Sequence, residues 1–384
     1  VRILVTEYFL STFEKSEDLN FLIEGYAMTR TIIESLSSNA HLIMTTLSEK
    51  LRDYVELPKV EIIEVKKENY YDVIEKLSKM CDLIIAIAPP NELIKLMDIA
   101  ECEYVGPSRD LVKLFSNKYS CITKLQELGF KVPKTMKLRR IEDIERFNDK
   151  THIIKPVDSA GCCGQVVIKS IWEVEKALNY ALRYSSRDYV ILQEYIEGIP
   201  SSISVISNGS DVLLMSLNLQ LIHLNNNLEY FGGILPIHKY VDIAFNLVID
   251  LIRKFRGLKG YFGIDVVLRN DDIYIIEINP RLTTSIVGLY RLVNDVGELI
   301  VNSISKKELS AKSLPENLHT YYIVTDNLEQ IHSNEYLFKL RNVKRYLVSG
   351  VFGNHDIDNV ISRLLNVNFK IRSYVKIIEK LLKV

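Results

Sequence analysis

Residues 263–285 read GIDVVLRNDDIYIIEINPRLTTS, and the fold is decided in this stretch. Asp265 opens a strand of Val266, Val267 and Leu268. A polar turn follows at Asn270 to Asp272, and a return strand, IYIIEINPR, presents Glu277 and Asn279. Side chains two apart on a strand project to one face, so Glu277 and Asn279 point together and the hairpin brings Asp265 beside them. Three converging hard oxygen donors suit Mg²⁺, which takes carboxylate and carbonyl oxygens, keeps several waters and is completed by substrate phosphates. Mn²⁺ is expected to substitute for it. Arg281, two residues further along, adds a fixed cation beside such phosphates. The plain alternative is a solvated surface hairpin. It fares poorly because the acids interrupt an otherwise apolar strand, where an unpartnered charge is costly.

The whole chain sets bounds on this reading. At 384 residues it is long enough for two or three domains with substantial cores. Lys plus Arg number 48 against 49 Asp plus Glu, so no bulk field favours nucleic acid or an anionic membrane, and neither is expected as a partner. No apolar run reaches the ~20 residues of a membrane span, and the first residues lack a signal-peptide pattern, so a cytoplasmic location is expected. Cys81, Cys102, Cys121, Cys162 and Cys163 form an odd set without CxxC spacing, which argues for reduced thiols rather than a disulfide framework or structural zinc. The histidines show no HxH or HExxH spacing, which disfavours a zinc hydrolase.

Four segments are expected: 1–115, 116–190, 191–309 and 310–384. In the first, VRILV, HLIMTT, VEIIEV and DLIIAIAPP read as strands, the last ending in a proline break, with helices at about Asn20–Leu36 and Tyr70–Met80. Continuous apolar strands separated by helices imply an open α/β sheet covered on both sides. Its ligand crevice is expected beyond the strand carboxyl ends, where Thr6, Glu7, Tyr8, Ala88, Pro89, Pro90 and Glu92 fall. The second, a small α/β unit, has a helix from Asn117 to Gly129, strands HIIKPV and VVIKS, and an amphipathic helix from Trp172 to Tyr184. In the third, YVILQEYIEG runs into a turn at Glu197 and Gly198, and SISVIS, VLLMSLNLQLI and the acidic hairpin form an antiparallel sheet interrupted by a helix from Val241 to Phe255. Beyond Leu309, HTYYIVTD and KRYLVSGVFG read as strands and Tyr374–Lys383 as a helix, giving a packed appendage.

Lys155 ends the strand HIIKP just before the small-residue loop DSAGCCG. Small residues let the backbone approach a ligand, and successive amides can bind phosphate oxygens. No GxxxxGK[ST] motif is present, and taken alone the loop is equally a plain hairpin turn. Lys118, in SNKYS, opens a helix, where a solvated lysine is the ordinary reading. Cys162 and Cys163 have no His within their segment to act as a base, so they read as small loop residues.

The order Lys118, Lys155 with its loop, QEYI, then Asp265, Glu277 and Asn279 resembles the ATP-grasp superfamily. The resemblance spans roughly residues 1 to 300, with IIKP, ILQEYIEG and IEINPR as its specific motifs. It implies an ATP-grasp fold with an N-terminal open α/β domain, a small lid domain and a larger antiparallel domain. It further implies that Lys118 and Lys155 contact ATP phosphates under the loop of Ser159, Gly161 and Gly164. Gln193, Glu194, Tyr195 and Ile196 would line the adenine pocket, with Glu197 standing in for the usual ribose-binding Glu. Asp265, Glu277 and Asn279 would bind Mg²⁺. A homodimer is a family expectation. EGYAM, SLNLQ, YFGG and LKGYFGIDVV further resemble the archaeal branch that contains tyramine–glutamate ligase, although Leu219 occupies a position where a basic residue is expected there.

The activity implied is ATP-dependent amide formation between small-molecule carboxylate and amine substrates through an acylphosphate, with glutamate and an aromatic amine such as tyramine as candidates. Lys155 and Arg281 would stabilise the moving phosphoryl group. Glu7, Glu24, Ser216, Asn218, Gly232, Gly233, Thr283, Thr284 and Ser285 are substrate-side candidates, with Glu24 or Glu7 recognising an ammonium. Two alternatives of other classes are a regulatory ATP-binding protein without turnover and a dinucleotide-dependent dehydrogenase; within the same family, the Leu219 departure leaves open a ligase acting on other amino-acid substrates. The acidic trio disfavours the first, and the missing GxGxxG after VRILV disfavours the second.

Overall fold

Five short strands open the chain: β1 (Arg2–Glu7), β2 (Leu42–Ser48), β3 (Glu61–Val65), β4 (Leu83–Ile87) and β5 (Glu103–Tyr104). In the computed structural model they form a parallel sheet in the order β3-β2-β1-β4-β5. The structure describes the chain except residues 15–18, 38, 40, 145–149, 225–227, 305–307, 312–313, 329–330 and 383–384, so the end of the expected last helix, Lys383, lies outside the described residues. Alternation along β1 sends Ile3 and Val5 to a core with helix Leu19–Leu36, and Leu4 to a second core with helices Tyr70–Ser78 and Pro90–Ile99. Both faces are therefore apolar, which explains the unbroken hydrophobic runs. The proline break expected after β4 is instead a helix start: Pro90 occupies the first turn, where its missing N–H costs nothing. Strand order reverses between β1 and β4, the position where open α/β sheets leave a crevice.

A four-stranded antiparallel sheet follows, with β6 (Thr135–Leu138), β7 (His152–Pro156), β8 (Val166–Ile168) and β9 (Val190–Glu194) in the order β6-β9-β7-β8. Helix Val174–Leu182 covers one face. The helix expected from Trp172 starts two residues later. The Glu173 carboxylate accepts from the backbone N–H groups of Lys169 (2.6 Å) and Ser170 (3.0 Å), which tightens Ile171–Glu173 into a 3₁₀ turn and leaves Trp172 90% exposed.

The largest sheet has eight antiparallel strands: β10 (Ile199–Asn208), β11 (Val212–Leu224), β12 (Leu228–Leu235), β13 (Lys259–Arg269), β14 (Asp272–Asn279), β15 (Leu318–Thr325), β16 (Glu335–Lys339) and β17 (Tyr346–Gly353). Their order is β14-β13-β10-β11-β12-β15-β17-β16. Segment 310–384, expected as an appendage, supplies three of these strands through the ladder between β12 and β15. Its helices Ile357–Val367 and Val375–Leu382 enter the same apolar core as helix Val241–Lys254 and the inner residues Ile203, Leu217 and Ile264. The opposite face of the sheet carries Ser204, Ser216 and Asn218, with Ser204 hydrogen-bonded to Ser285 at 3.0 Å. Among the described residues no helix is long and apolar enough to cross a membrane.

Candidate active site

A cavity of about 480 Å³ opens where the three sheets meet, within the range usual for small-molecule sites. The parallel sheet contributes Glu7, Ala88 and Pro89 from the ends of β1 and β4; Thr6, Tyr8, Pro90 and Glu92 do not line the cavity. The small sheet contributes Lys155, Gln193 and Glu194, and the large one Gln220, Asp265 and Glu277.

Asp265 and Glu277 are cross-strand partners on β13 and β14, with Asn279 opposite Gly263. Between Asp265 and Val266 the register slips, so that Ile276 is an extra residue on β14. Both Ile276 and Glu277 therefore face the cavity, while Ile275 and Ile278 are buried in the core. Asp265 accepts from Gln220 Nε2 at 3.0 Å and Asn279 Nδ2 at 3.2 Å. Burial, and then the neighbouring Glu277 charge, push the Asp265 carboxyl above the usual range. Burial acts on Glu277 in the same sense, but the Lys118 ammonium at 2.7 Å and then Lys155 outweigh it and hold Glu277 low.

Among the described residues no group of three or more His, Cys, Asp or Glu side chains could hold a metal ion unaided. The site offers two carboxylates and an amide, all of them hard donors, with the two carboxylates adjacent and Lys118 paired to one of them. That donor set fits a Mg²⁺ ion completed by ligand oxygens and water.

Lys118 begins helix Lys118–Glu127, whose first turn is capped by Asn117 accepting from Ser120 N–H at 3.0 Å. Its own N–H donates to Val157 O at 2.8 Å, and its Nζ donates to Ser159 O at 2.8 Å as well as pairing with Glu277. One side chain thus ties the loop after β7 to the acidic hairpin. Lys155 is 4% exposed, and its Nζ donates to Gln193 Oε1 at 2.7 Å. Gln193 in turn donates to Thr135 Oγ1 at 2.9 Å, so a residue expected against adenine also orients the lysine. Burial pushes Lys155 down to about 8.

The loop has left-handed backbone at Gly161, Cys162 and Gly164. A Cβ on Gly161 would stand 2.7 Å from the Phe21 ring, so only glycine lets the loop lie against helix Leu19–Leu36. Burial pushes the Cys162 thiol up to about 12, which keeps it protonated and inert as a nucleophile.

The remaining sequence-derived candidates divide into two groups. Gly161, Tyr195, Ile196, Glu24, Arg281, Thr283, Thr284 and Ser285 line the cavity. Glu7 also does, and its Oε2 caps Leu10 N–H at 2.7 Å. Glu24 accepts from the Thr284 hydroxyl, and Phe9 and Phe21 stack at 5.0 Å on the same side. Ser159, Gly164, Glu197, Ser216, Asn218, Gly232 and Gly233 are not in the cavity wall. Ser216 and Asn218 are spent on a buried network, Ser216 Oγ to Asn218 Oδ1 (2.6 Å) and Asn218 Nδ2 to Ser202 and Ser204 (3.1 Å each). At Gly232, with φ +152°, a Cβ would fall 2.1 Å from Tyr322 O, so this glycine serves the approach of β15. Gln220, Tyr230, Tyr322 and Tyr374 line the cavity without having been expected. For Gln220 a signal exists in SLNLQ: Ser216, Asn218 and Gln220 alternate with leucines and share a face.

An ATP-grasp domain model matches residues 115–285. The chain is 30% identical to the tyramine–L-glutamate ligase of Methanocaldococcus jannaschii, over 81% of this chain and 91% of that protein. The crystal structure of an ATP-grasp superfamily protein from Archaeoglobus fulgidus is similar with a TM-score of 0.64 at 23% identity, covering 92% of this chain and 99% of that one. A biotin carboxylase from Campylobacter jejuni, solved as a beta-gamma-ATP complex, shares the fold with a TM-score of 0.72 at 14% identity, covering 94% of this chain and 90% of that one.

Proposed function

The chain belongs to the ATP-grasp family, and from that premise we propose that it is an ATP-dependent ligase joining a small carboxylic acid to an amine, with glutamate and an aromatic amine such as tyramine as the substrates. The observation that carries this reading is that Asp265, Glu277, Asn279 and buried Lys155 line one cavity, while Lys118, outside the cavity wall, pairs with Glu277 at 2.7 Å. Two acids, an amide and an ammonium group facing one space, with a second ammonium bonded to one of the acids, suit a polyphosphate with its counter-ion.

In the reaction an oxygen of the acid attacks the γ-phosphorus, and the bond to ADP breaks. The amine nitrogen then attacks the acyl carbon, phosphate leaves, and the nitrogen gives up its proton. When bound at Asp265, Glu277 and Asn279, Mg²⁺ supplies charge neutralisation along the phosphates. The chain's residues position and shield. Lys118 and Lys155 neutralise phosphate oxygens, and Arg281 does so on the acid side. Tyr195 and Ile196 give the base an apolar wall. The loop of Ser159 to Gly164, resting on Phe21, keeps water from the acylphosphate.

The amine end falls on the parallel sheet's side. Glu24, joined to Thr284, offers a carboxylate to an ammonium, and the stacked Phe9 and Phe21 offer an aromatic wall. Glu24→Gln should raise the KM for the amine about 10- to 100-fold while leaving the KM for ATP unchanged. Equal effects on both substrates would move Glu24 out of the amine subsite. The reading as a whole is tested by incubating acids with amines under MgATP and following ADP release together with product mass. An amide product with ADP supports it, whereas AMP release or ATP binding without turnover overturns it.

A further inference from the structure

The tail also reaches the cavity. Ser373 and Tyr374, in the 3₁₀ turn before helix Val375–Leu382, and Ile377 within that helix line the cavity together with Tyr195, Ile222 and Leu224. β11 here has run past the end of its ladder with β10, whose terminal pair is Ser201↔Leu219, and it is bulged against β12 between Leu221 and Ile222. At that point the Tyr374 hydroxyl takes both backbone groups of Ile222, accepting from its N–H at 2.9 Å and donating to its C=O at 2.8 Å. Unpaired strand groups at a cavity rim would otherwise need water or a ligand.

The ring is 6% exposed and meets Phe231 edge-on at 6.5 Å. Lys370 pairs with Glu229 on β12, and Ile371, Ile378, Leu381 and Leu382 are buried in the large-sheet core, so the tail is fixed at several points. Burial pushes the Tyr374 phenol up to about 12, and Tyr195 and Cys162 are near enough to act on it in the same sense. The phenol therefore stays protonated and able to donate, beside the strand end that carries Tyr195 and Ile196.

We propose that the tail completes the nucleotide end of the cleft: Ile377 forms part of the apolar wall against which the base packs, and Tyr374 is a positioning residue that holds the rim of β11 at Ile222 in place for it. The inference rests on the ATP-binding reading above. It places a specificity-bearing wall about 90 residues beyond the end of the matched ATP-grasp segment at residue 285.

The test uses the full chain. ADP binding is measured by calorimetry with magnesium, alongside the KM values for ATP, acid and amine and the melting temperature. Tyr374→Phe should weaken ADP binding and raise the KM for ATP about tenfold, with the KM values for acid and amine unchanged. Ile377→Trp, at a half-buried position that tolerates bulk, should weaken ADP binding to at least the same extent by filling the base subsite. A lowered melting temperature with ADP affinity within twofold of the parent's in Ile377→Trp would overturn the proposal, even if Tyr374→Phe failed to fold. Because ADP binding is read without turnover, absence of ligation in the parent would sink the ligase reading and leave this one standing, whereas absence of ADP binding in the parent would remove both.

Discussion

In Glu277→Gln, amine-dependent ADP release is expected to fall by about 10²- to 10³-fold, with the far-ultraviolet spectrum of the parent retained. The substitution keeps the shape of the side chain and removes its charge. Three consequences follow from the geometry. Lys118 loses the carboxylate 2.7 Å away, and with it the restraint that holds its Nζ between Ser159 O and the hairpin. The buried Lys155 loses the anion that most supports its charged form against burial, so its amine form gains ground. Asp265 loses the like charge that helps push its carboxyl up, and the cation is left with one carboxylate in place of two. The binding readout is the affinity for ADP with and without magnesium. In the parent, magnesium should strengthen ADP binding, and in Glu277→Gln that gain should largely vanish. Unchanged turnover, or a magnesium effect as large as the parent's, would take Glu277 out of the metal site and the polyphosphate out of this cavity.

How much of this could be read from the chain depends on how locally each interaction is written. Asp265, Glu277 and Asn279 stood out because charged and amide side chains interrupt apolar strands, and Lys155 because it closes an apolar strand before small residues. Such breaks in pattern survive without knowledge of the fold, and the open parallel sheet and the antiparallel sheet were legible for the same reason of periodicity. The bulge at Ile276 was not legible. Strict alternation from Asn279 still points Glu277 correctly, but it sends Ile276 to the core, and only the slipped register against β13 turns it to the cavity. Gln220 reaches Asp265 from a strand 45 residues earlier, across the intervening β10. Tyr374 meets Ile222 across 152 residues. Contacts of that kind depend on strand order, which composition and spacing do not encode.

The tail shows the same division between local pattern and distant pairing. HTYYIVTD and KRYLVSGVFG announce strands, but nothing in them says that β15 will pair with β12 and so bring residues 318–353 into the sheet that carries the acidic hairpin. The polar pair that fixes this arrangement, Glu335 and Arg363, is separated by 28 residues and looks in sequence like two ordinary surface charges. In the fold it is buried. Arg363 grips Glu335 with two hydrogen bonds of 2.8 and 2.9 Å, His332 N–H adds a third at 2.8 Å, and the Tyr321 hydroxyl a fourth. The Glu335 side chain is 0% exposed and that of Arg363 is 10% exposed.

Arg363→Met is accordingly expected to cost about 3–5 kcal/mol of stability at pH 7, because it leaves a buried carboxylate without its counter-charge. The pH dependence fixes the sign. In the parent, burial raises the Glu335 pKa but Arg363, His332 N–H and Tyr321 more than offset it, so the folded value lies below the unfolded one. Its contribution is therefore fully present above the unfolded carboxylate pKa, near 4.3, and is lost as pH falls through the folded value. In the variant, burial acts without Arg363, so protonation relieves the strain rather than adding to it. The stability difference between parent and variant should thus be largest at neutral pH and shrink steadily towards pH 4, as read from urea unfolding at several pH values. A difference below about 1 kcal/mol, as exposed ion pairs typically give, or one that stays constant from pH 7 to pH 4, would show that Glu335 is not the buried anion on which the docking of helix Ile357–Val367 against β16 and β17 depends.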